Sequence, residues 1–357
     1  MVVCLCRTTT ISAQDSVMVA STAEKAAGAP ALSDETIHKI CSADVPFEDD
    51  DDQKACSELV EQFSEEETEI MAQTSYAYWV ATERKLGDAD DGTSKYRTTA
   101  ALRECRRHYI GENRNVEKTR VSLQNMVEYR RERRLDLFRT CMNPDAAYET
   151  KEEEDMAKLY RLHLELEAQR QVMVVRGRDN DSRAIVLKFP RQAEPATPPE
   201  AYVTMQLYIL ERAIAATEIL SDGGEQEKLV GVFDFANYQS SNQPPLTSLK
   251  TILTLLQRHY PERLKNMFVL NPPFWMRMVY RVLLPFLDDD TKEKLQMLTE
   301  ESERVAVLGG RIGKDQAMPF MLPDGQLTSE VDATHFLSNV PFHQLYDDVP
   351  ITAQKEE

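Results

Sequence analysis

Few side chains in this sequence stand in patterns that perform chemistry. No G-x-S-x-G elbow, Walker loop, H-E-x-x-H helix or dinucleotide fingerprint occurs. Gly309-Gly310 lacks the strand-then-helix setting of a phosphate loop, and the six histidines are scattered. His259, beside Tyr260, reads as structural rather than as a base. Asp234, at the end of KLVGVFDF, would lie at the carboxyl end of a parallel strand, where α/β sites form; it would equally fasten the next loop. In HYPERLKNMFVLNPP, residues 259–273, Glu262 and Arg263 precede an apolar strand. That turn is either a plain helix end or the wall of a lipid pocket with Glu262 at its polar end. These residues predict neither catalysis nor a metal.

The most unusual stretch is FWMRMVYRVLLPFL, residues 274–287. Its only charges, Arg277 and Arg281, are four residues apart and so share a helical face. Phe274, Trp275, Met278, Val279, Val282, Leu283 and Phe286 cover most of the remainder. Such a helix is either buried or moves between two apolar environments, and it is too short to span a bilayer. It suits the rim of an apolar cavity, a gate that also touches lipid headgroups.

Charge narrows the partners. The 357 residues carry a net charge of -18, which argues against a nucleic-acid binder. Residues 1–94 hold 6 basic and 20 acidic side chains, whereas 95–139 hold 13 basic and 6 acidic. This basic island, with Arg130, Arg131, Arg133 and Arg134, either forms a solvated helix face or meets an anionic partner such as a membrane surface. All six cysteines lie at or before Cys141, so no disulfide framework supports the second half, and reduced cytosolic thiols fit best. Cys4 and Cys6 are candidates for acylation. The Ser/Thr-rich start leaves a transit peptide open, although Asp15 and Glu24 come early for one.

The elements that must position these residues follow from periodicity. Residues 1–54, with the like-charge block FEDDDD, read as a disordered acidic tail. Residues 55–150 read as a helical subdomain. QVMVVRG and AIVLKFP flank RDNDSR as a hairpin. Thereafter buried strands (KLVGVFDF, NMFVLNPP) alternate with helices, among them TKEKLQML, implying βαβ units and a mostly parallel sheet. The fold class is therefore α/β: a helical N-terminal subdomain, an α/β domain at 151–325 enclosing an apolar cavity, and an extension at 326–357.

HYPERLKNMFVLNPPFWMRMVYRVLLPFLDDDTKEKL resembles the signature region of the CRAL-TRIO lipid-binding domain. The YPERL turn, the strand ending in Asn-Pro-Pro, the Leu-Pro-Phe-Leu segment and Thr-x-x-Lys occur in order, within a resemblance covering roughly residues 95–325. The best-known members of that family resemble fungal phosphatidylinositol-transfer proteins, and this chain resembles them too. The resemblance implies a lipid carrier rather than an enzyme, with a bound lipid and no other cofactor. It places an inositol-phosphate headgroup on Glu262, Thr291 and Lys294, with Arg263 alongside. A carboxylate accepts from inositol hydroxyls, an ammonium offsets phosphate, and Thr291 would cap a helix whose free N–H groups favour an anion. Leu229 and Gly231 replace the Ser-x-Thr pair of phosphatidylcholine-binding relatives, which argues against choline lipids by that mode. Asn237 stands where a glycine is usual, and MPFMLPDG has one glycine where two are usual, so an irregular last strand is expected. The expected protein is a cytoplasmic, peripheral membrane monomer exchanging phosphatidylinositol at anionic membranes. A tocopherol, retinoid or sterol carrier is the alternative.

Overall fold

The computed structural model describes residues 32–86, 92–190, 198–239, 243–287 and 289–348. The expected acidic tail is folded wherever it is described. Helix α1 (Asp34–Ser42) is capped by Ser33 and buries Ile37, Ile40 and Cys41. The acid block starts a helix rather than resisting one: Asp49 caps α2 (Asp50–Val60), and Asp50, Asp51 and Asp52 occupy its first turn, where the positive end of the helix dipole favours carboxylates. Cys4 and Cys6 lie outside the described residues.

Helices α3 (Glu65–Ala72), α4 (Tyr76–Glu83), α5 (Gly92–Gly111) and α6 (Val116–Arg133) complete the helical subdomain. Ser64 and Asn115 cap α3 and α6, the first in a reciprocal capping box. After α7 (Lys151–Ala168), strands β1 (Val172–Arg178) and β2 (Ala184–Phe189) form the expected hairpin. Asp179 Oδ1 fastens its turn by accepting from the Asp181 and Arg183 amides.

The long apolar helix α8 (Pro199–Leu220) leads to β3 (Leu229–Asp234), α9 (Leu246–His259) and β4 (Leu264–Leu270). Helix α10 (Met276–Leu283) and a short 3-10 turn over Leu284–Phe286 follow. Next come α11 (Asp289–Lys294), β5 (Leu295–Leu298), α12 (Glu301–Leu308) and α13 (Ala333–Asn339). TKEKLQML is thus not one helix: its second half is β5, added to the sheet edge beside β4. The sheet order is β1-β2-β3-β4-β5, antiparallel at the hairpin and parallel elsewhere. No strand forms in 318–325, where the chain turns instead.

The C-terminal segment belongs to the central core. Phe336, Leu337 and Tyr346 are buried in it. Arg212 of α8 donates to the carbonyls of Phe336, Val340 and Pro341, each at 2.8 Å, and Arg176 of β1 forms a fork with Asp347 at 2.6 and 2.8 Å.

Candidate functional site

Two polar places and one amphiphilic helix define the site. The first place is the turn between α9 and β4. Glu262 adopts φ 58°, a left-handed conformation that swings the chain from helix to strand. Its carboxylate accepts from Lys228 at 2.5 Å, and Lys294 Nζ lies 3.9 Å away. The structure therefore brings Glu262 and Lys294 together across 32 residues of sequence, with Lys294 also paired to Asp290 within α11. Thr291 lies inside six-residue α11, not at its cap. Arg263 turns away from Glu262 into the core, donating to the Glu227 carbonyl at 3.2 Å and approaching Glu104 at 3.5 Å. Burial, then the neighbouring Arg107, lowers its pKa to about 10. Arg263 thus ties the sheet to the helical subdomain and is not available to a headgroup.

The basic island is also mostly spoken for. Arg130 is buried, forking onto Glu211 at 2.7 and 3.3 Å, and the Tyr260 hydroxyl donates to the same carboxylate at 2.7 Å. It is a core ion pair, not a membrane contact, because α8 supplies a carboxylate 81 residues away. Arg131 pairs with Glu66 at 3.0 Å, while Arg134 holds Asp136 and Glu153 at 2.8 and 2.9 Å. Arg131 and Arg133 remain exposed.

Helix α10 and the residues that flank it divide their apolar side chains between two faces. Phe274, Met278, Val282 and Phe286 recur every fourth position and point outward, 82%, 63%, 47% and 41% exposed. Trp275, Met276 and Val279 point inward and line a cavity of about 90 Å³ against Phe235, Tyr238 and Leu249. Trp275 sits 5.5 Å from Tyr238, ring centre to ring centre, and Leu283 is half-buried. Lys250 of α9 lies 4.4 Å over the outward Phe286 ring. Arg281 is exposed; the Arg277 side chain lies outside the described residues.

The second polar place is the cavity wall, which sequence reasoning missed. Lys188 of β2, Tyr202 of α8, and Glu167, Arg170 and Gln171 at and just beyond the end of α7 all face the cavity. The signal was present: AIVLKF carries a lone charge in an otherwise buried strand, and a buried lysine needs a reason. Asp234, by contrast, fastens the loop, accepting from the Ala236 amide at 3.0 Å and Asn271 Nδ2 at 2.8 Å. Asn237 takes φ 61°, the left-handed geometry usually given to glycine. His259 stacks on Tyr129 at 4.2 Å, and burial lowers its pKa to about 4.

The family model described as "CRAL/TRIO domain" matches residues 168–319, from the end of α7 past α12. This chain contains a CRAL/TRIO domain. That domain supplies the whole sheet, α10, the Glu262–Lys294 pair and Lys188, and the helical subdomain packs against it through Arg130 and Arg263. Phosphatidylinositol transfer protein PDR17 of Saccharomyces cerevisiae is 27% identical over 223 residues, 58% of this chain and 58% of that protein. The human tyrosine-protein phosphatase non-receptor type 9 is 26% identical over 176 residues, 48% of this chain but only 29% of the phosphatase. The crystal structure of Sfh5 superposes with a TM-score of 0.50 at 14% identity, covering 73% of this chain and 85% of Sfh5, a likeness of fold. Among the described residues, no helix is long and apolar enough to cross a membrane.

Proposed function

We propose that this protein holds a phospholipid, phosphatidylinositol, beneath α10 and exchanges it at membrane surfaces as a peripheral visitor. The carrying observation is that one short helix closes an apolar cavity with Trp275 and Val279 while presenting Phe274, Met278, Val282 and Phe286 to the outside. An outward apolar row costs free energy in water and gains roughly 1–2 kcal/mol per side chain in a bilayer interface. Drug-sized ligands occupy roughly 300–1,000 Å³, so a cavity of about 90 Å³ admits a phospholipid only when α10 swings away. At a bilayer the inward face exchanges cavity contacts for acyl chains, so a modest interfacial gain opens the gate.

Glu262 and Lys294 stand together at the opposite, N-terminal end of the parallel strands and would receive the inositol phosphate, with Thr291 nearby on α11. The relative named as a phosphatidylinositol transfer protein supports this cargo. Arg131, Arg133 and Arg281 add attraction to anionic lipid. The test is mass spectrometry of lipid recovered with the purified protein, together with vesicle-to-vesicle transfer of labelled phosphatidylinositol. Absence of any bound phospholipid and of transfer would overturn the reading.

A further inference from the structure

Lys188 is buried to 6% exposure, yet among the described residues it pairs with no carboxylate. Its ammonium donates to Gln206 Oε1 at 3.0 Å and to the Tyr202 hydroxyl at 3.3 Å, two neutral acceptors for three N–H groups. Tyr202 and Phe233 present their rings to it at 4.9 and 5.6 Å. Among the described residues, the buried Gln206 Nε2 has no hydrogen-bond partner. Donors therefore exceed acceptors at this spot, and a buried unpaired charge is among the costlier features a fold carries.

The neighbouring charges do not remove the imbalance. Glu167 is engaged by residues of its own helix end, accepting from Gln171 Nε2 at 2.8 Å and lying 3.5 Å from Arg170. Among the described residues that line the cavity, Glu167 is the one carboxylate, and it forms no ion pair with Lys188. Trp275, Val279 and Leu249 line the same cavity. Lys188 pairs with Phe233 in register, whereas the Glu262 turn leads into Leu264, opposite Leu229. Four residues of β3 therefore separate the two polar places, about 13 Å along the strand.

We infer that Lys188, backed by Gln206 and Tyr202, is a second, buried anion-holding subsite that takes an anionic oxygen of an amphiphile whose chain lies against α10. The matching chemistry is a carboxylate or a phosphate joined to a long apolar tail; a neutral hydroxyl, as on a sterol or tocopherol, leaves the ammonium uncompensated. This inference rests on the lipid-cavity reading above and adds the chemical class of the group that enters the cavity.

The full chain is titrated with a pyrene-labelled fatty acid, with its methyl ester, and with pyrene-labelled phosphatidylinositol presented in phosphatidylcholine vesicles. The parent protein should bind the acid or load the phospholipid at least tenfold more tightly than the ester. Lys188→Met should abolish that preference while leaving ester binding unchanged, with fold monitored by circular dichroism. Preference for the acid alone identifies a carboxylate, and preference for the phospholipid alone a phosphate; either supports the subsite. Equal binding of all three probes by the parent, or an unchanged preference in a folded Lys188→Met, overturns it while leaving the lipid cavity standing. Failure of the parent to bind any probe, ester included, overturns both. Should Lys188→Met not fold, the preference of the parent for the acid or the phospholipid over the ester decides alone.

Discussion

Replacing Lys188 with methionine keeps a side chain of similar length and removes a buried charge, so it measures what the cavity wall costs the fold. Burial lowers the lysine pKa to about 8 from its ordinary value near 10.5, with Glu167 acting in the opposite direction. At about 1.4 kcal/mol for each pH unit, that difference corresponds to about 3 kcal/mol. Losing the hydrogen bonds to Gln206 and Tyr202 gives back about 1 kcal/mol. Lys188→Met should therefore stabilise lipid-free protein by about 2 kcal/mol at pH 7. The sign with pH follows from proton counting. Below pH 8 both folded and unfolded chains carry the proton, and the folded state bears the full cost. Between 8 and 10.5 the unfolded chain binds a proton that the folded chain has lost, so the stability of the parent rises with pH. The advantage of methionine should then shrink above pH 8, vanish at pH ~9.5 and reverse by about 1 kcal/mol near pH 10.5. Urea titrations of both proteins at pH 7, 9 and 10.5 measure it. A variant less stable than its parent at pH 7, or an advantage independent of pH, would refute the claim that Lys188 is an uncompensated charge.

Four further outcomes are expected. Lys294→Ala removes the cation 3.9 Å from Glu262 and should reduce phosphatidylinositol transfer severalfold at an unchanged melting temperature; equal transfer by variant and parent counts against the headgroup assignment. The double change Phe274→Ser, Met278→Ser removes two outward side chains and should weaken vesicle co-sedimentation about tenfold without destabilising the fold, whereas a large drop in melting temperature would make α10 ordinary core. Arg130→Ala strands Glu211 in the core and should cost about 3–5 kcal/mol of stability; weakened vesicle binding with full stability would restore Arg130 to the membrane surface. With Trp79→Phe in place, vesicles should shift the emission of Trp275, the remaining tryptophan. A bound, transfer-active protein with unchanged emission would mean that the helix does not open.

Local pattern determined much of this protein. The change from helical to alternating strand-helix periodicity after Gln171 is written in residue types, and so are the hairpin, the capped helices and the ordered motifs from the YPERL turn to Thr-x-x-Lys. The CRAL/TRIO domain was legible for that reason, as was an amphiphilic segment too short to span a bilayer. The acid block was misread because a run of like charge was judged by its repulsion, although Asp49–Asp52 at a helix start are stabilised by the exposed amides there.

Tertiary structure decided the roles of the charges. Composition counted Arg130 and Arg131 alike, but only the fold places Glu211 against the first and Glu66 against the second. Adjacent Glu262 and Arg263 separate for the same reason, one toward Lys228 and Lys294, the other toward Glu104. Periodicity identified α10 as apolar nearly all round, while packing against Tyr238 and Leu249 selected which face closes the cavity and which meets solvent. Lys188 is the extreme case: the apolar run AIVLKF singles out one charge, but only the packing shows that this lysine is sealed from water rather than reaching it. Burial and the pairing of charges are long-range properties, set by which distant elements share a surface, and a one-dimensional pattern does not contain them.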